Sequence, residues 1–414
     1  MERAAFYILA SWAFWGAHAF FPQVGRAAVI TVINLDGPGE GFNDPSAPDP
    51  ASAAGGNSGA TLGAQRLIAF QYAADTWANR LSSPVEIRVD ASFDPLSCSS
   101  SSATLGAAGA KTAHRDFVGA PLPNTWYPQA LANSRAGSDL SPGTSDIGAV
   151  FNSSIGTTCA FPLVWYYGLD GNPPSGALDF VSVVLHELGH GLGFQSFVDL
   201  LTGAKAGGID DIFSRSLEDH STGKIYPEMT DEERLAASQN TGNLHWIGAN
   251  VVAASGALTG GVHATGHVQM YAPNPQRPGS SVSHFDTAVS PNEMMEPFYT
   301  GPNHNVELTL KLFEDLGWQL APLESVNVDF DGDGKSDIGI YRSGAWFIVN
   351  SSGGTTTVGW GGAAGDIPVP ADYDGDGKAD VAVYRNGAWF IRRSTDGGMT
   401  VVGWGGAAGD IPLN

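Results

Sequence analysis

Apolar residues recur along this chain with two periods, and each period marks an element. Val29-Ile-Thr-Val-Ile-Asn34 reads as a strand, and Val85-Glu-Ile-Arg-Val89 alternates as a half-buried strand does. From Leu62 to Leu81 the period lengthens, and Leu67, Phe70, Ala74, Trp77 and Leu81 fall on one face of a helix. Asp146-Ile-Gly-Ala-Val-Phe151 reads as a further strand. Val181, Val184, Leu185, Leu188 and Leu192 then repeat at helical spacing behind Asp179, a residue suited to cap a helix N-terminus. Val306 to Leu316 repeats the pattern with Leu308, Leu312, Phe313 and Leu316, and Asn305 is placed to cap it. Asp36 to Gly59, rich in Pro, Gly, Asn and Ser, and the small-residue stretch Ser97 to Ala110 read as loops. The stretch from Ser196 to Ser283 is mixed, and its pattern does not place its elements.

The texture changes at Asn327. Asn327 to Pro368 and Pro370 to Pro412 are two copies of one unit. Each carries an Asp-rich loop, then Ile338-Gly-Ile-Tyr341 or Val381-Ala-Val-Tyr384, then Trp346-Phe-Ile-Val349 or Trp389-Phe-Ile391. The alternation predicts short strands in hairpins, and the self-similarity predicts stacked β repeats.

Hydrophobic residues make up 43% of the 414-residue chain, enough for globular domains with sizeable cores. The formal charge of -22 opposes nucleic acid or an anionic membrane as a partner. It fits an exported protein that holds divalent cations, as would any solvated acidic surface. Met1-Glu-Arg3 followed by the mostly apolar Ala4 to Phe21, with small residues at Gly25-Arg-Ala27 or Ala17-His-Ala19, reads as a cleaved export signal over 1–27. The alternative is an N-terminal membrane anchor. In an exported chain the two cysteines, Cys98 and Cys159, are expected to pair; a free thiol capping a zinc site is the other reading.

The chemistry concentrates in Val183-Val-Leu-His-Glu-Leu-Gly-His-Gly-Leu-Gly-Phe194. On a helix, His186 and His190 share a face and can present two imidazoles to one Zn²⁺, while Glu187 can reach a water as general base. A catalytic zinc needs a third protein ligand and an open position. The metzincin pattern H-E-x-x-H-x-x-G-x-x-H would put that ligand at Ser196, a poor one. A later candidate is His284 in Ser283-His-Phe-Asp286, followed by Ser290-Pro-Asn-Glu-Met-Met-Glu-Pro297. His220, His245, His263, His267 and His304 compete for the role, and an acidic ligand from Asp210 to Glu218 ranks second. Tyr299 is within sequence reach of the metal or an oxyanion, but is not the expected ligand.

Taken with Leu308-Thr-Leu-Lys-Leu-Phe-Glu-Asp-Leu-Gly-Trp318, these segments resemble the catalytic core of leishmanolysin-like metzincins over about Leu178 to Trp318. In that branch an insertion separates the motif helix from the third His, a Met-turn follows, and a helix ending in Asp-Leu-Gly closes the core. The resemblance implies an α+β, metzincin-like zinc protease domain with a twisted sheet, an active-site helix and a C-terminal helix. It implies one catalytic Zn²⁺ on His186, His190 and His284, Glu187 as base, Met295 beneath the metal, and protein or peptide substrates. Residues 28–195 would form the N-terminal subdomain with the zinc helix, and 196–321 the C-terminal one with the insertion. A propeptide like that family's is not seen. The rival reading is a non-catalytic surface-binding protein built on a degenerate protease domain.

In the tail, Asp329-Phe-Asp-Gly-Asp-Gly-Lys-Ser-Asp337 and Asp372-Tyr-Asp-Gly-Asp-Gly-Lys-Ala-Asp380 read D-x-D-x-D-G-x-x-D. Asp329, Asp331, Asp333 and Asp337, and likewise Asp372, Asp374, Asp376 and Asp380, can converge on one hard cation each, giving two structural Ca²⁺. The Glu that closes an EF-hand is missing, since Ile340 and Val383 stand there. The loops resemble those of FG-GAP/VCBS repeats, so 327–414 is expected to be a small all-β repeat region. That likeness implies surface or matrix contact, or simple stiffening.

Overall fold

The computed structural model describes residues 27–321, 328–363, 365–406 and 412, so the expected signal segment and the start of the first repeat lie outside the described residues. The chain is mixed α+β with several sheets, followed by a region of antiparallel β sheets.

The main sheet is built from β1 (Ile30–Asn34), β2 (Ile87–Asp94), β3 (Gly106–Ala110) and β4 (Ile147–Asn152), in the order β1-β2-β4-β3. β1, β2 and β4 run parallel, and β3 is the antiparallel edge. The alternation in β2 does what period two requires: Ile87, Val89, Ala91 and Phe93 are buried. β3 corrects the loop expected over Ser97 to Ala110. Gly and Ala are poor strand formers, but register with β4, from Gly106 opposite Phe151 to Ala110 opposite Ile147, overrides that preference.

Helix α1 (Leu62–Ala78) packs on the sheet with Phe70, Ala73, Ala74 and Trp77 fully buried. It ends before Leu81, which is buried in a short strand instead, and Leu67 is 37% exposed, so the apolar face is rotated from the one expected. The stretch Asp36 to Gly59 also holds a short helix, Pro50–Ala54, capped by Asp49. Helix α2 (Phe180–Leu192) carries the histidine motif. Asp179 caps it as expected, accepting from the Ser182 amide at 2.8 Å. Two tryptophans fasten α2. The Trp77 indole donates to the Leu185 carbonyl at 3.0 Å, and the Trp318 indole donates to the Leu192 carbonyl at 2.9 Å. Phe180 enters an aromatic cluster with Phe93, Phe151, Trp165 and Tyr167 at centroid distances of 5.0–5.4 Å.

The stretch that carried no readable pattern is structured. It contains β5 (Leu217–Asp219), β6 (Lys224–Ile225), β7 (Leu244–Trp246) and β8 (Val268–Gln269), a second antiparallel sheet in the order β6-β5-β7-β8. Leu217, Leu244, Trp246 and Val268 bury its inner face. Helix α3 (Glu307–Leu316) closes this part; the Asn305 side chain accepts from the Glu307 amide at 3.0 Å. Cys98 and Cys159 are disulfide-bonded, with Cα atoms 5.9 Å apart. The bridge ties the loop before β3 to the loop after β4 and suggests an extracytoplasmic setting. Among the described residues no helix is long and apolar enough to cross a membrane.

The tail follows the expected repeat. β9 (Ile338–Arg342), β10 (Ala345–Val349) and β11 (Thr355–Gly359) form one meander. β12 (Ile367–Pro368), β13 (Val381–Arg385), β14 (Ala388–Arg392) and β15 (Met399–Gly403) form the other. Trp346 and Ile348 of the first unit share a core with Val381 and Val383 of the second. The Trp360 indole donates to the Phe390 carbonyl at 2.9 Å, so the two units pack on each other.

The glycines of α2 let the helix approach its neighbours. A Cβ on Gly191 would lie 2.4 Å from Cγ2 of Ile147, a buried β-branched residue on β4 with little room to yield. Helix propensity alone favours Gly191→Ala by about 1 kcal/mol. Overpacking predicts the opposite sign, a loss of about 1–3 kcal/mol. Chemical denaturation of the variant checks it; a gain in stability would contradict the packing described.

Candidate metal centre

α2 places His186 and His190 one turn apart on its cleft side, and a distant segment brings His284 to them. The three Nε2 atoms form a near-equilateral triangle, with His186–His190 and His186–His284 at 3.1 Å and His190–His284 at 3.2 Å. Every Nδ1 faces a backbone carbonyl: Met294 for His186 at 2.8 Å, Phe194 for His190 at 2.8 Å, and Ser280 for His284 at 2.7 Å. A carbonyl can only accept, so each Nδ1 carries the proton and each Nε2 presents a lone pair. Burial disfavours protonation and holds all three imidazoles below the usual histidine range, His190 at about 3.

Three lone pairs facing one another at this distance repel unless a cation lies among them. The edge length fits three nitrogens each about 2.0–2.1 Å from one ion, the zinc–imidazole distance. The donor set therefore fits a transition metal. The sequence-expected third ligand, His284, is the one the structure brings in. Ser196 is turned away: its amide donates to Ser283 Oγ and its hydroxyl meets Ser214 Oγ at 2.7 Å. The acidic alternative is engaged elsewhere, with the Asp211 carboxylate taking the Phe197 and Ser214 amides. His304 pairs with Asp179 at 2.7 Å, and His220, His245, His263 and His267 form a separate cluster.

Local features explain the aim of each ring. Gly193, at φ 132°, reverses the chain after α2 and brings the Phe194 carbonyl under His190. Residues 293–296 form a turn in which the Met294 carbonyl meets His186 and the Met295 carbonyl accepts from the Phe285 amide at 3.0 Å. Met295 is fully buried against Gly189, where a Cβ would come within 2.6 Å of its sulfur. The turn thus orients one ligand through Met294 and anchors the segment of another through Met295.

Glu187 is buried next to the triad's helix face, against Gly106 of β3, where a Cβ would lie 3.0 Å from its Cγ. Burial pushes its carboxyl up to about 8, against a downward pull from the Ala108 amide. The three histidines and Glu187 line one cleft of about 840 Å³, bordered by Gly106, Ala107 and Ala108 of the edge strand and by Asn292 to Gly301 opposite. Tyr299 lines it too, but its hydroxyl oxygen accepts from the Asp179 amide at 3.0 Å. The edge strand was not expected from the sequence, whose run of small residues from Gly106 to Ala110 read as loop.

In the tail, Asp329, Asp331 and Asp333 bring three carboxylate oxygens together, as do Asp372, Asp374 and Asp376. Gly334 and Gly377 turn at φ 84° and 86°, as the loops require. Asp337 accepts from the Phe330 and Ser351 amides at 2.8 and 2.6 Å, and Asp380 from the Tyr373 and Ser394 amides at 3.1 and 2.5 Å. They brace the turns and lie outside the two triads.

No protein-family model matches this chain, and no curated protein matches it. The candidate centre is defined by its own geometry.

The raised Glu187 carboxyl has a stability consequence in metal-free protein. Between its ordinary 4.5 and about 8 the folded chain holds a proton that the unfolded chain has released. Stability from this group is therefore present below 4.5 and lost as pH rises through 8. Glu187→Gln removes the dependence, so the gain in stability over wild type should be larger at pH 9 than at pH 5, by about 2–4 kcal/mol. Denaturant midpoints of apo protein at both pH values test it; equal differences would contradict it.

Proposed function

We propose that the protein is an exported zinc metalloendopeptidase of the metzincin type, similar to the leishmanolysin-like branch, with calcium-binding β repeats at its C-terminus. The observation that carries this reading is the Nε2 triangle of His186, His190 and His284 beside buried Glu187 in one cleft. His186, His190 and His284 would hold the zinc. When bound, zinc supplies Lewis acidity toward a carbonyl and toward water.

The remaining steps fall to the chain. β3 is an edge strand whose Gly106 to Ala108 border the cleft, so backbone groups on its outer side, other than the Ala108 amide that faces Glu187, could pair with an extended peptide as an added strand. Small residues there keep side chains from blocking that approach. Glu187 is buried beside the triad, where a bound cation would favour its ionised form; as carboxylate it takes a proton from the attacking water and returns it to the leaving amine. Three commitments of Nδ1 to carbonyls keep the imidazoles neutral and correctly turned through the cycle. The non-catalytic alternative has no use for a buried carboxyl beside the triad, which costs folding energy.

Glu187→Gln should keep stoichiometric zinc and lose peptide hydrolysis by about 10²–10⁴-fold. His284→Ala should lose both, whereas His304→Ala should keep the zinc. Metal analysis together with cleavage of an unstructured protein substrate decides this; near-normal turnover in Glu187→Gln would overturn the mechanism.

The tail triads suit Ca²⁺, since all their donors are carboxylate oxygens. Without an ion, like charges oppose the turns, relieved only in part by hydroxyl donors such as Ser351 to Asp333 at 2.8 Å. Calcium chelation should expose 328–406 to proteases before 28–321. Equal protection with and without chelator would refute the calcium role.

A further inference from the structure

The second sheet has an outer face of unusual composition. Glu218 on β5 lies directly opposite His245 on β7, and His245 lies opposite Gln269 on β8. Side chains two positions apart share a face, so His220 joins Glu218 and His267 joins Gln269. The inner face buries Leu217, Leu244, Trp246 and Val268 together with Asp219. The outer one gathers three imidazoles and a carboxylate, and His263 on the turn before β8 caps the group with its ring edge-on to His220, 4.5 Å between centroids.

The ligand atoms converge. His220 Nε2 lies 2.8 Å from His267 Nδ1, and Glu218 Oε2 lies 3.6 Å from His267 Nδ1 and 4.0 Å from His220 Nε2. His245 stacks on His220 at 3.8 Å and 15° between planes, and its Nδ1 is committed to the Asn243 carbonyl at 2.9 Å. That stack holds the His220 ring in place, as the partners of a metal-bound imidazole do. Two imidazoles and one carboxylate suit zinc; a hard cation such as Ca²⁺ would prefer oxygen alone.

We propose that Glu218, His220 and His267 form a second zinc site, separate from the His186–His190–His284 centre, which pins the insertion. It joins the chain leaving β5 to the chain entering β8. Beyond β8, Tyr271 donates from its amide to the His284 carbonyl at 2.9 Å, and the Asp286 amide donates to the Gln269 carbonyl at 2.9 Å. A metal here therefore stiffens the sheet from which the His284 segment hangs. The site stands whether or not the chain is a protease.

Zinc titration of the full chain, followed by calorimetry and by metal analysis after dialysis, tests it. Wild type should take up two equivalents. His284→Ala should keep the one at Glu218, His220 and His267. His220→Asn with His267→Asn should keep the other, and all three changes together should leave none. Glu218→Gln, which retains both imidazoles and is the gentler change, should weaken the second equivalent by about tenfold or more. Circular dichroism checks that each variant is folded. Undiminished zinc in folded His220→Asn/His267→Asn, or full affinity in Glu218→Gln, would show a hydrogen-bonded histidine pair only and overturn the proposal. So would a wild type whose single equivalent is lost in His284→Ala and survives in His220→Asn/His267→Asn.

Discussion

Three hydrogen bonds from histidine Nδ1 to backbone carbonyls govern the candidate centre. Without them an imidazole can turn over or carry its proton on the wrong nitrogen. With them, His186, His190 and His284 offer three lone pairs to one point. The carbonyls come from Met294, Phe194 and Ser280, residues of three different turns. The fold must therefore hold those turns as firmly as the ligands. It does so by burying Met295 against Gly189, by the left-handed Gly193, and by pairing Phe285 with the Met295 carbonyl.

The helix that carries two of the ligands is in turn fixed from several sides. Trp77 and Trp318 donate to carbonyls at its middle and its end, and Phe180 packs into the aromatic cluster at its start. Gly191 permits contact with the sheet through Ile147. A site built on such a helix is pre-organised, and the folding energy of the surrounding core offsets the cost of crowding three neutral imidazoles and a carboxyl in a buried place.

Much of the candidate site was legible in the sequence because its signals are local. The spacing of His186 and His190 places both on one helix face, and Asp179 marks its start. His284 was harder. It rested on the order of Ser283-His-Phe and Glu-Met-Met, and the structure joins those segments at the triad. The edge strand β3 was not legible, because Gly106 to Ala110 has no β-forming residue and takes its conformation from the ladder with β4. The insertion resisted for a related reason: its strands are two or three residues long, too short for a period to show. Its histidines looked like rivals for one metal, and only the pairing of β5, β7 and β8 shows that His220, His245 and His267 belong together elsewhere, with His263 beside them on a turn. In the tail the repeat itself gave the hairpins. The ninth-position aspartates, Asp337 and Asp380, accept loop amides, as Asp329 and Asp372 do inside the triads.

The central claim is that one transition metal sits at the meeting point of His186, His190 and His284. Crystals of the full chain grown with zinc, measured on both sides of the zinc absorption edge, test it most directly. The account predicts an anomalous peak about 2.0–2.1 Å from all three Nε2 atoms, with Glu187 beside it and not bonded to it. A zinc-saturated crystal with no peak between these three rings, or one in which His284 has swung away from the ion, would contradict it.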